Sequence, residues 1–191
     1  SDVCSSDLLL SALAAPAALT YAPEPLGLPA ARQAAAAEMS RQGAPIPPDR
    51  VVMTASTSEA YSLLFKLLCD PGDAILAPRP IYPLIEHLAA LDGVAVQPYA
   101  LEYHGRWTTD LDGVAAALRS PAPRVRAIVA VTPNNPTGSV ASSGEIAALA
   151  ALAQAHDAAL IVDEVFADYP LDGAAVPSAA AQGGALTFAL D

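Results

Sequence analysis

The stretch RAIVAVTPNNPTG, residues 126–138, decides the fold of this chain. Its first half, Arg126–Val131, is a continuous apolar run, which is typical of a strand buried on both faces of a parallel sheet. Its second half holds two Pro, two Asn and a Gly, and this predicts an irregular loop after the strand. Ligands of open α/β sheets bind at the carboxyl ends of the strands, so the polar residues of this loop are candidates for a binding site.

Helical and strand patterns alternate on both sides of this stretch. Strands separated by helices at this spacing predict βαβ units, and therefore an α/β fold with a mostly parallel, doubly covered sheet in three αβα layers. The predicted helices are Gly27–Gln42, Ser56–Cys69, Ile81–Leu91, Asp110–Arg119 with Thr109 as its cap, and a segment that starts at a Ser142–Glu145 capping box. The predicted strands are Val51–Thr54, Ala74–Ala77, Val94–Tyr99, Arg126–Val131, Ala159–Val162 and Ala185–Leu190.

Composition and charge exclude several classes of protein. The 191 residues are 53% hydrophobic, which is enough for one domain with a core. The net charge is −11, and Lys66 is the single lysine, so nucleic acid and anionic membranes are not expected partners. Cys4 and Cys69 form neither a CxxC motif nor a Cys/His cluster, which argues against a disulfide framework and a zinc site and favours a reducing cytoplasm.

The N-terminal region imitates a targeting segment without meeting the requirements for one. Leu8–Pro23 is apolar, but it is shorter than the ~18 residues of a membrane span and is interrupted by Pro16. Asp2 and Asp7 precede it where a signal peptide would be basic, so secretion is not predicted. Because the sequence does not begin with Met, residues 1–8 are interpreted as an artefact or a non-native leader.

Three places at the ends of predicted strands carry candidate binding residues. Ser56, Thr57 and Ser58 open a helix, whose free N–H groups and dipole hold a phosphate well, although the hydroxyls alternatively only cap the helix. Asn135 offers an amide to a ligand oxygen, or belongs to a plain turn. Asp163 ends an apolar strand, where a buried carboxylate is costly unless it is paired, and its alternative role is a cap or turn.

In this order and spacing, the three places resemble the large domain of the class I/II aminotransferases, the fold-type I pyridoxal phosphate (PLP) enzymes. NNPTG followed by DEVF 25 to 30 residues later is a specific combination. The resemblance implies that residues 9–191 are part of a large PLP-binding domain. It runs from Tyr21 to Asp191 and rests on YAPEPLGLPAAR, TASTSEAY, DPGDAILAPRPIYP, TPNNPTG and LIVDEVFADY.

The resemblance implies a role for each matched residue. Ser56–Ser58 would hold the cofactor phosphate, with Thr57 and Ser58 closest, and the ring of Tyr82 would stack on the pyridine unless it packs in the sheet instead. Asn135 would bond the phenolic oxygen. Asp163 would pair with the pyridine nitrogen and keep it protonated, which makes the ring an electron sink.

Other residues match the family less well. Tyr21 resembles the Tyr that reaches the phosphate of the neighbouring subunit in a homodimer, with core packing as the alternative. Phe166 departs from the pattern, since many relatives place there a Tyr that bonds the phenolic oxygen. Glu164 and Asp168 are interpreted as solvated or turn residues. The histidines are interpreted as surface residues without a metal-binding spacing: His87, His104 and His156.

The resemblance also implies that the catalytic group lies outside this sequence. The Schiff-base lysine of the family is expected just beyond Asp191, and the Arg that binds the substrate carboxylate belongs to a C-terminal small domain. The chain is therefore interpreted as an inactive fragment, truncated at both ends, of a cytoplasmic homodimeric enzyme that transfers an amino group between an amino acid and a 2-oxo acid. The alternatives are a PLP-dependent lyase and a non-enzymatic PLP-binding domain of an aminotransferase-like regulator.

Overall fold

The computed structural model describes residues 10–41, 43–171, 176 and 178–191. The proposed leader 1–8 and Gln42, the last residue of the first predicted helix, lie outside these residues. The helices are α1 (Pro29–Arg41), α2 (Thr57–Leu68), α3 (Leu84–Leu91), α4 (Leu111–Leu118) and α5 (Ser143–Ala155), with short 3-10 helices at Pro16–Leu19, Pro48–Arg50 and Ala179–Ala181. The strands are β1 (Ala74–Arg79), β2 (Ala95–Tyr103), β3 (Trp107–Thr109), β4 (Val125–Val131), β5 (Ala159–Asp163) and β6 (Thr187–Leu190).

The strands form one sheet in the order β3-β2-β1-β4-β5-β6. All neighbouring pairs are parallel except β2 and β3, which are antiparallel, so the predicted α/β fold with a mostly parallel sheet is confirmed. The chain leaves β1 towards β2 on one side and returns to β1 on the other side with β4. The carboxyl ends of β1 and β4 therefore flank the point where the strand order reverses, which is where open α/β sheets bind ligands.

Helices cover both faces of the sheet. On one face, Phe65 of α2 and Ile85 of α3 pack in a cluster with the sheet residue Ile161. On the other face, Val114 of α4 and Leu149 of α5 pack in a second cluster with sheet residues. The three αβα layers are thus as predicted. Strands β1, β4 and β5 are buried almost throughout, which explains why each lacks the polar alternation of a half-exposed strand.

The helix starts follow the sequence closely but not completely. At α5 the capping box is complete, since Ser142 Oγ accepts from the Glu145 N–H at 3.2 Å and the Glu145 carboxylate accepts from the Ser142 N–H at 3.0 Å. The predicted cap Thr109 is wrong, because Thr109 ends β3. Asp110 caps α4 instead, and its carboxylate accepts from the Gly113 N–H at 2.8 Å.

The predicted strand Val51–Thr54 is wrong. Its backbone does not pair with the sheet. The Val51 N–H donates to Pro48 O, three residues before it, at 3.3 Å, and the Met53 N–H donates to Leu26 O of the N-terminal segment at 3.0 Å. Val52 is also largely exposed. The run has the apolar pattern of a strand but no neighbouring strand to pair with. The segment before α2 is therefore irregular.

The hairpin of β2 and β3 was not predicted. Strand β2 continues beyond Tyr99 to Tyr103, and the chain turns at Gly105, whose φ of +82° suits a residue without a side chain. The rings of Tyr103 and Trp107 then meet across the strands with centroids 5.4 Å apart. The hairpin forms the antiparallel edge of the sheet. It extends β2 past the carboxyl end of β1, because Arg79 at the end of β1 is in register with Ala100.

Candidate functional site

Asp163 ends β5 and lies buried at the carboxyl edge of the sheet, with 8% of its surface exposed. Its Oδ2 accepts a hydrogen bond from the Tyr61 hydroxyl at 2.9 Å, and its Oδ1 accepts from the Val165 N–H at 3.2 Å. Burial raises the pKa of this carboxyl, and the two hydrogen bonds oppose that rise. Among the described residues no cation pairs with it, so this buried carboxylate has capacity for a cationic group.

The loop after β4 is ordered by Asn134, a residue that was not singled out from the sequence. Asn134 is buried, its Nδ2 donates to Pro80 O at 3.3 Å, and its Oδ1 accepts from the Thr137 hydroxyl at 2.9 Å. Asn135, next in sequence, is half-buried, and its side chain makes no hydrogen bond within the described part of the chain. The first amide therefore holds the loop, and the second is available to a ligand.

Parallel pairing brings the candidate residues of three strands to one edge. Val131 at the end of β4 is in register with Asp163, and the Thr132 N–H donates to Asp163 O at 2.9 Å. The bond from Asn134 to Pro80 ties the same loop to the segment that follows β1. That segment carries Tyr82, which is 51% exposed, so the alternative of a buried tyrosine that packs in the sheet is wrong.

The N-terminus of α2 lies at this same edge, because Tyr61, one turn into the helix, contacts Asp163. Ser56 caps the helix, and its Oγ accepts from the Glu59 N–H at 3.2 Å. Neither the hydroxyls nor the backbone N–H groups of Thr57 and Ser58 have a partner among the residues described. A helix start with free N–H groups and two free hydroxyls is suited to a phosphate group.

The comparisons with known proteins agree with this arrangement. Residues 9–186 match the family model of the class I and II aminotransferases. The chain belongs to this family. Members of the family are PLP-dependent, so the cofactor predicted from the sequence is the cofactor of the family.

Two relatives and one solved structure illustrate the match. The aspartate/prephenate aminotransferase of Thermus thermophilus is 35% identical over 150 residues, which cover 76% of this chain and 37% of the relative. The 1-aminocyclopropane-1-carboxylate synthase 3 of Oryza sativa subsp. japonica is 34% identical over 62% of this chain and 27% of the relative. A crystal structure of an Escherichia coli aminotransferase superposes with a TM-score of 0.83 at 27% identity and covers 99% of this chain and 46% of that one. The chain thus spans less than half the length of these aminotransferase-family proteins.

The residues of this aminotransferase-family chain fit the cofactor of the family. A protonated ring nitrogen is the cation that Asp163 lacks, and the phosphate suits the free groups of Thr57 and Ser58. The free amide of Asn135 suits an anionic oxygen. The fit comes from the donors and acceptors that the fold leaves without partners, which is independent of the family match.

Tyr21 and Phe166 lie on the surface. Tyr21 is 91% exposed, so its alternative role in the core is wrong. Phe166 is 43% exposed in the turn after β5. Whether either residue contacts a cofactor stays a prediction.

Glu164 is buried, so its interpretation as a solvated residue is wrong. Its interpretation as a turn residue is correct, because Glu164 O accepts from the Ala167 N–H at 2.7 Å at the start of the turn after β5. Its carboxylate accepts from the Ser178 hydroxyl at 2.6 Å and from the Ala179 N–H at 2.5 Å, and only 3% of its surface is exposed. Burial raises its pKa. The Glu164 carboxylate thus stabilises the segment around Ser178 and Ala179, which precedes β6. The partners lie 14 and 15 residues away, and no local pattern in the sequence indicates them.

No group of three or more His, Cys, Asp or Glu among the described residues is arranged to hold a metal ion. In the same residues no helix is long and apolar enough to cross a membrane. Burial raises the pKa of Cys69 to about 11, so this free thiol is protonated at neutral pH and is a poor nucleophile.

Proposed function

We propose that the protein containing this chain is a PLP-dependent aminotransferase (EC 2.6.1.-) that transfers an amino group from an amino acid to a 2-oxo acid. Residues 9–191 would be part of its large cofactor-binding domain. The observation that carries this proposal is the buried carboxylate of Asp163, which has no cation partner among the described residues and shares a sheet edge with the N-terminus of α2.

Each residue of the site would bind or orient a different part of the cofactor. Bound PLP supplies an electron sink for the negative charge that remains on the substrate when its α-proton leaves. Asp163 holds a proton on the ring nitrogen, and Thr57 and Ser58, with Ser56 behind them, bind the phosphate. Asn135 donates to the phenolic oxygen, and Tyr82 covers one face of the ring.

We also propose that the enzyme is a cytoplasmic homodimer. Support comes from the N-terminal segment, whose large apolar side chains are exposed in the single chain and would be covered by a partner subunit. These are Leu10, Leu13, Leu19, Tyr21, Leu26 and Leu28. Within that segment Tyr21 would reach the phosphate of the neighbouring subunit, and the free thiol of Cys69 is in keeping with a reducing compartment.

A second candidate is a PLP-dependent lyase of the same fold. The match to the rice protein supports a reaction other than amino transfer, because that relative is named a synthase and not an aminotransferase. Both candidates use the same cofactor contacts within this chain. They differ in what happens to the substrate.

The test uses the full-length parent protein loaded with PLP. Incubation with single amino acids and no 2-oxo acid should convert the cofactor to its amine form, with loss of its visible absorption and release of one equivalent of 2-oxo acid. Addition of a 2-oxo acid should restore the absorption. Continuous product release without conversion of the cofactor would favour the lyase, and a parent that binds no PLP would contradict both candidates.

Asn135→Ala should remove a hydrogen bond to the phenolic oxygen of the cofactor without changing the structure of the loop. The cost is that of one hydrogen bond to a charged group, ~1.5–3 kcal/mol in cofactor binding or transition-state stabilisation. Because the Asn135 amide has no bond within the described chain, the melting temperature of the cofactor-free protein should hardly change. The measurements are the absorption of the bound cofactor across the pH range and thermal unfolding.

The matched control is Asn134→Ala in the same loop. It leaves Pro80 O and the Thr137 hydroxyl without their partner, so it should lower the melting temperature. An absorption spectrum that Asn135→Ala leaves unchanged at every pH would contradict the role of Asn135.

Phe166→Tyr tests the departure from the family pattern. The phenylalanine ring donates no hydrogen bond, so the phenolate oxygen of the cofactor has one stabilising partner fewer. The visible absorption of the bound cofactor should therefore titrate at higher pH in the wild-type parent than in Phe166→Tyr. Identical titrations of the two proteins would mean that residue 166 does not face the cofactor.

A further inference from the structure

The bond between Tyr61 and Asp163 joins two parts of the site that are distant in sequence. The Tyr61 hydroxyl lies 2.9 Å from Asp163 Oδ2, across a separation of 102 residues. Tyr61 is four residues after Thr57 on the same helix, which is about one turn or ~6 Å along the axis. One rigid helical turn therefore separates the free phosphate-binding groups from the carboxylate at the other end of the site.

The direction of this hydrogen bond is defined by the protonation of the two groups. Burial raises the pKa of Tyr61 well above its usual value, and the nearby Asp163 raises it further. The phenol is therefore neutral at physiological pH and donates, while the carboxylate accepts. Its ring is held by Phe65, with centroids 5.7 Å apart, and only 3% of Tyr61 is exposed.

Two hydrogen-bond donors, one on each oxygen, fix the orientation of the Asp163 carboxylate. Tyr61 binds Oδ2 and the Val165 N–H binds Oδ1, which leaves a further lone pair on each oxygen for a third donor. The Val165 bond comes from the turn next to Asp163. The Tyr61 bond is the one that relates the carboxylate to α2.

We propose that Tyr61 is a positioning residue that orients Asp163 towards the cofactor nitrogen and sets its distance from the phosphate-binding start of α2. This inference rests on the proposed function. Tyr61 does not touch the reacting atoms, and it acts through Asp163.

The test compares Tyr61→Phe with Tyr99→Phe in the full-length parent. Tyr99 is also buried and also makes one hydrogen bond, from its hydroxyl to Val129 O at 2.9 Å, on the opposite face of the sheet. Both variants lose one buried hydroxyl and keep the ring, so both retain the packing that folds the domain. They differ in the acceptor that is left behind, which is a carboxylate for Tyr61 and a backbone carbonyl for Tyr99.

The first readout is the stability of the PLP-free protein as a function of pH. The pKa of Asp163 is raised in the folded state, so its contribution favours folding below the unfolded pKa and is lost as the pH rises through the folded pKa. Tyr61→Phe removes a bond that lowers this pKa, so the loss should be larger in the variant. The stability deficit of Tyr61→Phe should therefore grow as the pH rises above about pH 4, and that of Tyr99→Phe should stay constant.

The acids Glu164 and Asp191 do not change the sign of this comparison. Glu164, on the same strand end, and Asp191, after β6, are both partly desolvated, and burial raises the pKa of each. All variants retain these two groups. Asp191 contributes equally to every variant. Glu164 is coupled to the charge of Asp163, so it alters the pH at which the deficit of Tyr61→Phe develops and not the sign of the change.

The second readout is the dissociation constant of PLP. We expect Tyr61→Phe to bind PLP about tenfold more weakly than the wild type and Tyr99→Phe to bind within about twofold of it. In a background of Asp163→Ala, Tyr61→Phe should weaken binding no further, since the group it positions is gone.

Three outcomes decide the inference. A growing deficit with pH, together with weaker PLP binding that vanishes in the Asp163→Ala background, supports it. A Tyr61→Phe variant that matches Tyr99→Phe in both readouts overturns it, even where the wild type binds PLP normally. Failure of the wild-type parent to bind PLP would overturn the proposed function and with it this inference, and that result is visible without any variant.

Discussion

Asp163→Ala in the full-length parent should lower amino transfer by orders of magnitude and leave the fold intact. Only a carboxylate can keep a ring nitrogen protonated in a buried site, because burial there disfavours the cation unless an opposite charge stands beside it. The structural cost is limited. The substitution leaves the Tyr61 hydroxyl without its acceptor, which costs about 1–3 kcal/mol, but it also removes a buried charge that has no ion pair.

Two control variants separate charge from structure. Asp163→Asn keeps an acceptor for Tyr61 and removes the charge, so it should be nearly as slow as Asp163→Ala and more stable. Glu164→Gln alters the neighbouring buried acid, which binds Ser178 and Ala179, so it should lower stability and retain activity. The measurements are kcat/KM for amino transfer and thermal unfolding. Near-normal turnover by Asp163→Ala would refute the assignment.

The 191-residue chain itself should show no amino transfer and no selective attachment of PLP to a lysine. Its single lysine, Lys66, lies ten residues after Ser56, which is about 15 Å along the helix axis from the phosphate-binding start of α2. The Lys66 ammonium is already bonded to Asp92 Oδ1 at 2.6 Å and to Ser62 Oγ at 2.6 Å. Its hydrogen bond holds the pKa of Asp92 below the usual range, in keeping with a stable surface ion pair.

Borohydride reduction after incubation with PLP, followed by peptide mass spectrometry, measures any lysine adduct. Lys66→Arg keeps the charge and the ion pair with Asp92 while it removes the amine that would react, so it serves as the matched control. We expect the same low background in both proteins. Stoichiometric labelling of Lys66 in the wild type together with amino-transfer turnover would show that the prediction is wrong.

Sequence patterns predicted the parts of the fold that depend on local burial. After Arg126, the run Arg126–Val131 is buried on both faces and has no polar residue, and its assignment to a central parallel strand is correct. The capping box at Ser142 is correct for a similar reason, since both of its partners lie within one turn. By contrast, the apolar run Val51–Thr54 satisfies the same pattern and is not a strand. Whether a strand finds a neighbour is decided by the rest of the chain.

The candidate site was predictable in place and not in detail. Asp163 and the loop after β4 could be located because each directly follows a buried strand. The different roles of Asn134 and Asn135 could not be predicted, since they depend on which side-chain amide lies within hydrogen-bond distance of Pro80 O. The hydrogen bond between Tyr61 and Asp163 could not be predicted either. A tyrosine on an apolar helix face gives no local indication of an acceptor 102 residues away.

The pairing of β1 with β4 at the centre of the sheet affects the order in which this domain folds during synthesis. Strands β1 and β4 are neighbours, yet they are separated by α3, β2, β3 and α4, and β5 joins only after α5. Parallel pairs of this kind form slowly, because the entropy of closing a long loop is lost before any contact is gained. On the ribosome, the helix that carries Tyr61 emerges about 100 residues before Asp163, the acid to which Tyr61 is bonded. On the proposed function, cofactor capture would therefore be a late event in folding, because PLP present during synthesis would meet no acid for its ring nitrogen until β5 has emerged.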